Sequence, residues 1–293
     1  MTGVPFAVVD AKMNTMTTFL DAEGVRITYD VYPAKKPKGI ILLVHGLGDH
    51  AKRYVNPATA FANAGYTVYA PDMRGHGRTG LEQWGGDESQ LGHLGPGGLR
   101  ATIRDLRQMT DIIRDEHPKL PIFFIGHSMG SLQGQILINT DAGRYAGVVL
   151  SGTAYRRPGF MNAGDLNKRF AVAGGNGNEW LSRDPKIATD FAKDPLTFKA
   201  DTLKLFGLAD GLRLFGTPAK GMPEVPIFIL IGGEDSLGGE KSVLKLADAY
   251  IAAGQDDVTV TVYPGGRHEM FNETNRQEVY DDVISWIAER TAS

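Results

Sequence analysis

The 293-residue sequence contains no cysteine, which excludes disulfide bonds and thiolate metal sites and leaves the redox compartment undetermined. It has no stretch that approaches the roughly 20 apolar residues needed to cross a bilayer. It also has no block rich in lysine and arginine, and its net charge of -3 gives no reason to expect nucleic acid as a partner. The apolar share of 42% and the charged share of 22% are ordinary for a globular protein. The function must therefore be sought in short motifs.

The N-terminal region lacks a basic start followed by a long apolar run, so we expect no secretory signal and a cytoplasmic location. Met13 and Met16 are alternative start positions. We therefore treat residues 1–16 as an N-terminal extension that precedes the folded part.

Predicted strands and helices alternate along most of the chain. The first two strands, Thr17–Leu20 and Arg26–Pro33, form a predicted hairpin, and the β-branched run Gly39–Val44 is typical of a strand buried on both faces. The remaining predicted strands are Tyr66–Ala70, Pro121–Ile125, Gly147–Leu150, Pro226–Ile231 and Val258–Tyr263. The predicted helices of this part are Tyr54–Ala64, Leu99–Glu116, Ser131–Asn139, Lys241–Ala253 and Arg276–Glu289. Such alternation predicts an α/β fold with a mostly parallel central sheet flanked by helices.

The alternation is interrupted over residues 152–225, which contain the helix-like pieces Lys186–Lys193 and Thr202–Phe215 but no convincing strand. An insertion at this point would lie over the carboxyl ends of the strands, where the active sites of open α/β sheets are found. We predict a helical cap over residues 152–225 on a core formed by residues 17–151 and 226–293. Most apolar side chains of the cap should only pack against the core. The candidates for an apolar substrate tunnel are Phe160, Phe170, Trp180 and Phe206.

Ser128 stands in Gly126-His127-Ser128-Met129-Gly130, directly after the predicted strand Pro121–Ile125 and before a helix rich in small residues. The pentapeptide G-x-S-x-G alone is common by chance. Between a strand and a helix, however, it indicates a nucleophile elbow, a sharp turn that holds the serine hydroxyl above the edge of the sheet. The flanking glycines are needed because a Cβ at either position would collide with the neighbouring backbone. The motif predicts a serine hydrolase.

A serine nucleophile needs a histidine base, and the histidine needs a carboxylate that holds its tautomer. The chain order in this architecture is serine, acid, histidine. Of the seven histidines only His268 follows Ser128, in a loop just beyond the predicted strand Val258–Tyr263. The acid is predicted to be Asp235, after strand Pro226–Ile231, with the adjacent Glu234 as the alternative.

The oxyanion of the tetrahedral intermediate needs two backbone donors. One should be the N–H of Met129, which follows the nucleophile at a helix N-terminus. The other should come from His45-Gly46-Leu47-Gly48, the loop after strand Gly39–Val44, with the N–H of Leu47 as the candidate donor.

The same loop also fits a different class of protein. Gly46-Leu47-Gly48-Asp49-His50-Ala51 matches G-x-G-x-x-A between a strand and a helix, and Asp72 follows the next strand as a ribose-binding carboxylate would. Two strands precede this loop, however, whereas a dinucleotide fold begins at that unit. The dinucleotide reading also leaves Ser128, Asp235 and His268 unexplained. We therefore favour the hydrolase.

The chain resembles the monoacylglycerol lipase and lysophospholipase branch of the α/β-hydrolases, of the serine aminopeptidase S33 type, from about Thr17 to its C-terminus. The stretches that carry the resemblance are His45-Gly46-Leu47-Gly48-Asp49-His50 with Arg53-Tyr54, Asp72-Met73-Arg74-Gly75-His76-Gly77, Gly126-His127-Ser128-Met129-Gly130, Leu181-Ser182-Arg183-Asp184-Pro185, Asp194-Pro195-Leu196, Tyr263-Pro264-Gly265-Gly266-Arg267-His268-Glu269 and Asn272-Glu273. The resemblance implies the same triad and the same oxyanion pair. The sequence departs from the family pattern over Leu81–Gly98. This glycine-rich segment is longer here, and we expect it to be a solvated loop.

The expected reaction is hydrolysis of a fatty-acid monoester, such as a monoacylglycerol, through an acyl-enzyme and with neither metal nor organic cofactor. Three alternatives stay open: an esterase for other monoesters such as monoalkyl phthalates, an aminopeptidase, and a binding protein without activity. The cap cations Arg156, Arg157, Lys168 and Arg169 would suit a substrate with a free carboxylate, although a charge excess this small is more often a solvated face. The expected partner is a small ester, with transient contact between the cap and a lipid surface as a further hypothesis.

Overall fold

The computed structural model describes residues 15–162 and 164–291, so most of the predicted extension over residues 1–16 lies outside the described residues. In this part of the chain an eight-stranded sheet forms the centre. Its strands are β1 (Thr15–Leu20), β2 (Arg26–Tyr32), β3 (Gly39–Val44), β4 (Tyr66–Pro71), β5 (Ile122–His127), β6 (Gly147–Ser151), β7 (Ile227–Gly232) and β8 (Val258–Tyr263). They lie in the order β1-β2-β4-β3-β5-β6-β7-β8. The pairs β1–β2 and β2–β4 are antiparallel and the other neighbours are parallel, which confirms the predicted α/β fold.

The helices connect the strands and cover both faces of the sheet. They are α1 (Val55–Asn63), α2 (Gly77–Gln83), α3 (Gly98–Glu116), α4 (Met129–Asp141), α5 (Pro185–Lys193), α6 (Thr202–Arg213), α7 (Gly239–Ala252) and α8 (Arg276–Thr291). Helix α2 was not predicted, because Gly77 and Gly80 are poor helix formers. Tertiary contacts stabilise it, since the Thr79 hydroxyl accepts a hydrogen bond from the Thr28 N–H and the Arg78 guanidinium pairs with Asp30.

The core has two layers because successive side chains of a strand point to opposite faces of the sheet. In β3, Ile40 and Leu42 pack with the layer below α3, α4 and α7, whereas Ile41 and Leu43 pack with the layer below α1 and α8. Every residue of β3 is buried, as expected for a central strand. The sheet is thus packed on both faces, and the carboxyl ends of its parallel strands carry the loops described below.

The residues between β6 and β7 add no strand to the sheet within the part of the chain that the structure describes. They contain α5 and α6 close to the two predicted helical pieces. Helix α6 is kinked at Gly207, where φ is 71°, and its second half is attached to the core because an Asp210 carboxylate oxygen accepts the N–H of Leu99 at 2.9 Å. This bond caps the N-terminus of α3 with a side chain from a different element.

The glycine-rich segment Leu81–Gly98 is only partly the solvated loop that the sequence predicts. Its first half is largely exposed, but Leu91 and Leu94 are buried. A Cβ on Gly92 would lie 2.7 Å from the Phe198 ring and 2.8 Å from Leu205, so the segment is packed tightly against residues of the insertion. Because this contact joins residues more than 100 positions apart, the local sequence could not reveal it. Between the segment and α6 lies a cleft of about 320 Å³ lined by Trp84, Gln90, His93, Leu94, Gly95, Gly98, Leu205, Phe206 and Asp210.

Among the described residues, every helix is too short or too polar to span a bilayer.

Candidate active site

Ser128 occupies the turn between β5 and α4. Its φ of 52° and ψ of -120° make it the sole non-glycine residue with positive φ among those that the structure describes. Such a backbone costs about 1–3 kcal/mol and persists only where the surroundings enforce it. The Ser128 N–H donates to the Ser151 carbonyl at 2.9 Å, which anchors the turn to β6. A Cβ on Gly126 would lie 2.5 Å from the Gly130 carbonyl oxygen, and a Cβ on Gly130 would lie 2.5 Å from that of Val44. The glycines of the motif are therefore required by close packing of the backbone.

His268 and Asp235 lie together at the carboxyl ends of β7 and β8. The His268 Nδ1 is 3.0 Å from the Asp235 Oδ2, and both residues are buried. The Leu237 N–H donates to the other Asp235 oxygen at 2.8 Å and fixes the carboxylate. The alternative acid, Glu234, is half-exposed and pairs with Arg169 at 3.2 Å. Of the two carboxylates, the structure therefore brings Asp235 to the histidine.

The contact with Asp235 decides which His268 nitrogen carries the proton. A carboxylate only accepts hydrogen bonds, so Nδ1 is the protonated nitrogen and Nε2 keeps its lone pair. The Nε2 atom is buried and has no hydrogen-bond partner in the described part of the chain. A buried imidazole held by a carboxylate and with one free basic nitrogen is the arrangement that a general base requires.

The His127 ring lies beside this imidazole, with the two ring centroids 4.8 Å apart. Burial, reinforced by the nearby His268, lowers the pKa of His127 well below its usual value. His127 is therefore neutral at neutral pH and adds no positive charge next to His268. Its Nδ1 lies 3.4 Å from the hydroxyl of Ser151, the β6 residue that pairs with His127 in the sheet.

The two predicted oxyanion donors lie on adjacent pieces of backbone. Leu47 follows β3, and Met129 is the first residue of α4, where the N–H groups of a helix point outward and favour negative charge. A Cβ on Gly46 would lie 3.1 Å from the Cβ of Ser128, so the loop passes directly against the nucleophile turn. Side chains from the core and the insertion form one apolar cluster around Leu47 and the start of α4. Its buried members are Leu94, Leu99, Met129, Leu132 and Leu214, and Leu47, Ile136, Met161 and Phe206 lie at its edge.

Arg53 connects the loop after β3, which carries Leu47 and Asp49, with the loop that carries His268 and Glu269, a link that was not predicted from the sequence. Its guanidinium makes two hydrogen bonds to Glu269, at 2.7 and 2.9 Å, and one to Asp49 at 3.0 Å. The same group lies 4.8 Å from the centre of the Phe191 ring in α5. Burial alone would raise the pKa of Asp49, but the charge of Arg53, the nearby His45 and His50 and the hydrogen bond from Tyr54 together outweigh it and hold that pKa below the usual range. The only hint of this link between the two loops in the sequence is that Glu269 directly follows His268.

The four candidate tunnel residues have different surroundings. The Trp180 ring lies over the His268 ring, with centroids 4.6 Å apart, and Phe206 joins the apolar cluster around Leu47 and Met129. Phe160 packs on Tyr155, with ring centroids 5.5 Å apart. The Phe170 ring lies between two guanidinium groups, 4.6 Å from that of Arg169 and 4.4 Å from that of Arg267. Trp180 and Phe206 thus lie next to the predicted site residues, whereas the contacts of Phe160 and Phe170 are with other side chains.

Asp72 is used entirely inside the protein. One carboxylate oxygen accepts the Ala51 N–H at 2.7 Å, and the other accepts the Arg78 N–H and Nε–H at 3.0 and 2.6 Å. The residue has no exposed surface. It is therefore not placed to bind a ribose, and the fingerprint over residues 46–51 belongs to the loop beside Ser128.

Three other carboxylates, those of Asp21, Glu23 and Asp105, lie close enough together to hold a cation. Their centre is taken by the buried Arg74, which donates to Asp21, to Asp105 at 2.7 Å and to the carbonyl of Pro96 at 2.6 Å. The guanidinium supplies the positive charge that a metal would bring, so this cluster fits an arginine and not a metal ion.

Comparison with known proteins agrees with this geometry. The sequence matches the family described as serine aminopeptidase, S33, over residues 35–275. The chain belongs to that family. It is 33% identical to a monoacylglycerol lipase of Mycolicibacterium smegmatis, over 92% of this chain and 95% of the relative. It is 28% identical to the human monoglyceride lipase, over 89% of this chain and 86% of the relative. The resemblance to this branch of the α/β-hydrolases is confirmed, and the family member described here is a carboxylic-ester hydrolase.

A solved structure has the same fold. A thermostable carboxyl esterase from Bacillus coagulans, crystallised with glycerol, superposes with a TM-score of 0.83 at 26% identity, over 95% of this chain and 99% of that one. Because both chains are covered almost completely, the similarity includes the residues between β6 and β7 as well as the sheet.

Proposed function

We propose that this hydrolase cleaves monoesters of fatty acids, such as monoacylglycerols, with Ser128 as nucleophile, His268 as base and Asp235 as the acid that orients it. The observation that carries the proposal is the buried Asp235–His268 pair, with a free Nε2, at the same sheet edge as the strained Ser128 turn. The substrate class rests on the relatives, since both curated relatives named above are lipases of monoacylglycerol or monoglyceride.

The reaction takes two steps. His268 Nε2 accepts the hydroxyl proton of Ser128 as the oxygen attacks the ester carbonyl, and the imidazolium then protonates the leaving alcohol. Water, deprotonated by the same nitrogen, attacks the acyl-enzyme and releases the fatty acid and Ser128. Asp235 stays ionised throughout and stabilises the imidazolium. The N–H groups of Leu47 and Met129 stabilise the oxyanion, for which each donor typically contributes on the order of 10²–10³ in rate.

Initial rates on a monoacylglycerol, a triacylglycerol, a monoalkyl phthalate and an aminoacyl arylamide test the proposal. We expect the monoacylglycerol to be cleaved fastest and Ser128→Ala to lose at least about 10⁴-fold in kcat, because the nucleophile is removed while the fold stays intact. Preference for the phthalate would keep the mechanism and change the substrate. Preference for the arylamide, or equal rates in the wild type and the variant, would refute the proposal.

We propose, in addition, that residues 152–225 form a cap on a core of residues 17–151 and 226–293, and that α6 of this cap touches the lipid surface that holds the substrate. Leu203, Leu208 and Leu212 of α6 are 63%, 72% and 60% exposed. Exposed leucines on one helix are costly in water and favourable at a lipid surface. Phe206 of the same helix packs against the apolar cluster that also contacts Leu47. A substrate that enters past α6 would therefore reach the site. The cytoplasmic location expected from the sequence stays a prediction.

A further inference from the structure

A short piece of the insertion, residues 179–183, runs along the loop that carries His268. The His268 N–H donates to the Trp180 carbonyl at 3.4 Å, and the Glu269 N–H donates to the Leu181 carbonyl at 2.7 Å. The Arg267 guanidinium reaches the carbonyls of Glu179 and Ser182 at 2.5 and 3.1 Å. Residues 179–183 of the insertion are therefore hydrogen-bonded directly to the loop that carries His268.

The Trp180 side chain continues this contact on to the imidazole itself. Its ring centroid lies 4.6 Å from that of His268, and the two planes are inclined by 33°. The Trp180 backbone is anchored on its other side as well, because the Trp180 N–H donates at 2.9 Å to the side-chain oxygen of the buried Asn167. His268 itself is 1% exposed. One face of the imidazole is thus covered by an indole.

We propose that Trp180 is a positioning residue for His268 and favours its protonated form during the reaction; this rests on the proposed role of His268 as the base. The face of an indole carries negative potential and attracts a cation placed over it, more strongly than the other aromatic rings do. His268 is neutral before the serine attacks and positively charged once it has taken the proton. The indole therefore stabilises the charged state more than the starting state, which lowers the barrier.

The other charged and titratable groups around His268 have defined partners. Asp235 holds Nδ1 from the loop after β7, and His127 faces the ring from β5 and is neutral. From its own loop, Glu269 is bonded to Arg53, and Arg267 is bonded to backbone carbonyls. None of these bonds uses the Trp180 side chain, so the effect of a change at position 180 on the titration of His268 can be attributed to the indole.

The test compares Trp180→Leu and Trp180→Phe with the wild type. For Trp180→Leu we expect kcat on a soluble short-chain ester to fall by about 2- to 30-fold with KM unchanged, because the charged imidazole loses its aromatic neighbour. The acidic limb of the kcat/KM profile should move to lower pH by about 0.4–1.5 units, because protonated His268 is then less favoured. Trp180→Phe should give smaller changes of the same sign. Trp84→Leu, which removes another partly buried indole, is the matched control.

A second measurement does not depend on turnover. The His268 imidazole is titrated by NMR in protein labelled at histidine, with its signal assigned from the spectrum of His268→Gln. We expect the midpoint in Trp180→Leu to lie below that of the wild type and the midpoint in Trp84→Leu to equal it. Equal midpoints in the wild type and Trp180→Leu would overturn the inference. So would a variant that changes only KM or the preferred acyl length, since Trp180 would then merely line the substrate tunnel. If the wild type cleaved no ester, the proposed function would fail, while the NMR titration would still decide the inference.

Discussion

At the scale of single residues, the turn at Ser128 shows how a short motif becomes a strained backbone. Ser128 has a positive φ that no other described non-glycine residue shares. The strain is maintained because Gly126 and Gly130 let three chain segments approach more closely than any Cβ allows. The motif was recognisable in the sequence because these requirements are local: a strand, one serine and two glycines within five positions.

Gly130→Ala tests this packing. The new Cβ would meet the carbonyl oxygens of Val44 and His45 at 2.5 and 2.6 Å, and neither can move without shifting β3. We expect the free energy of unfolding to drop by about 1–3 kcal/mol, the usual cost of overpacking, as measured by urea denaturation. In the control Gly143→Ala the nearest atom is 3.7 Å away, so stability should stay the same or rise slightly. Equal stability of the two variants would contradict the explanation.

At the scale of elements, α6 has two different sides. Asp210 and Phe206 attach it to α3 and to the apolar cluster, while Leu203, Leu208 and Leu212 are exposed. The sequence predicted a helix here but could not tell its two sides apart, because the kink at Gly207 breaks the 3.6-residue periodicity from which a buried face is recognised.

The double variant Leu203→Ser/Leu208→Ser tests the proposed lipid contact of α6. Each leucine loses most of an apolar side chain that would be buried at the lipid surface, so binding to phospholipid vesicles should weaken by about tenfold or more. Co-sedimentation with vesicles measures the binding, and kcat on a soluble ester should be unchanged. Ile251→Ser on α7, which also removes an exposed apolar side chain, is the control and should bind as the wild type does. Equal vesicle binding by the double variant and the wild type would exclude α6 as the contact.

At the scale of the whole molecule, buried histidines should set the response to acid. Burial lowers the pKa of His45, His127 and His76, the last to about 3. Below the unfolded value of 6.5 the unfolded chain binds these protons and the native state does not, so the free energy of unfolding falls as the pH falls. Asp105 acts in the opposite direction, because burial raises its pKa to about 7 and the native state then holds a proton that the unfolded chain has released.

Three histidines lower the stability as the pH falls and one carboxyl raises it, so the net change is a loss of stability. Each proton changes the free energy of unfolding by about 1.4 kcal/mol per pH unit. His127 and His76 against Asp105 leave a difference of about one proton, and His45 adds to it, so stability should drop by about 1–3 kcal/mol per unit between roughly pH 6 and pH 5. Urea midpoints across this range give the slope. His76→Gln should reduce the slope by the equivalent of about one proton, about 1.4 kcal/mol per pH unit. His93→Gln, at a partly exposed histidine, should leave the slope unchanged. A flat profile in the wild type would show that these histidines are protonated in the native state.

Sequence and structure agree most closely where a property depends on neighbouring residues. The strands, most helices and the positions of Ser128, Asp235 and His268 follow from hydrophobic patterns and from the order of strand ends, because residues that close parallel strands must meet at one edge of the sheet. Glu234 and Asp235 could not be separated with certainty, since adjacent residues differ only in direction, and direction depends on how the loop after β7 meets the histidine loop.

The sequence by itself determined the class of fold, the class of enzyme and the family, because each of these is encoded in short patterns of spacing and residue type. Only the tertiary structure decided what surrounds His268: Trp180 on its face, and Arg53 linking its loop to the loop after β3. These contacts join residues 88 and 216 positions apart. Such pairs carry no signature in a single chain, because what brings them together is the packing of the insertion and the loops on the finished sheet.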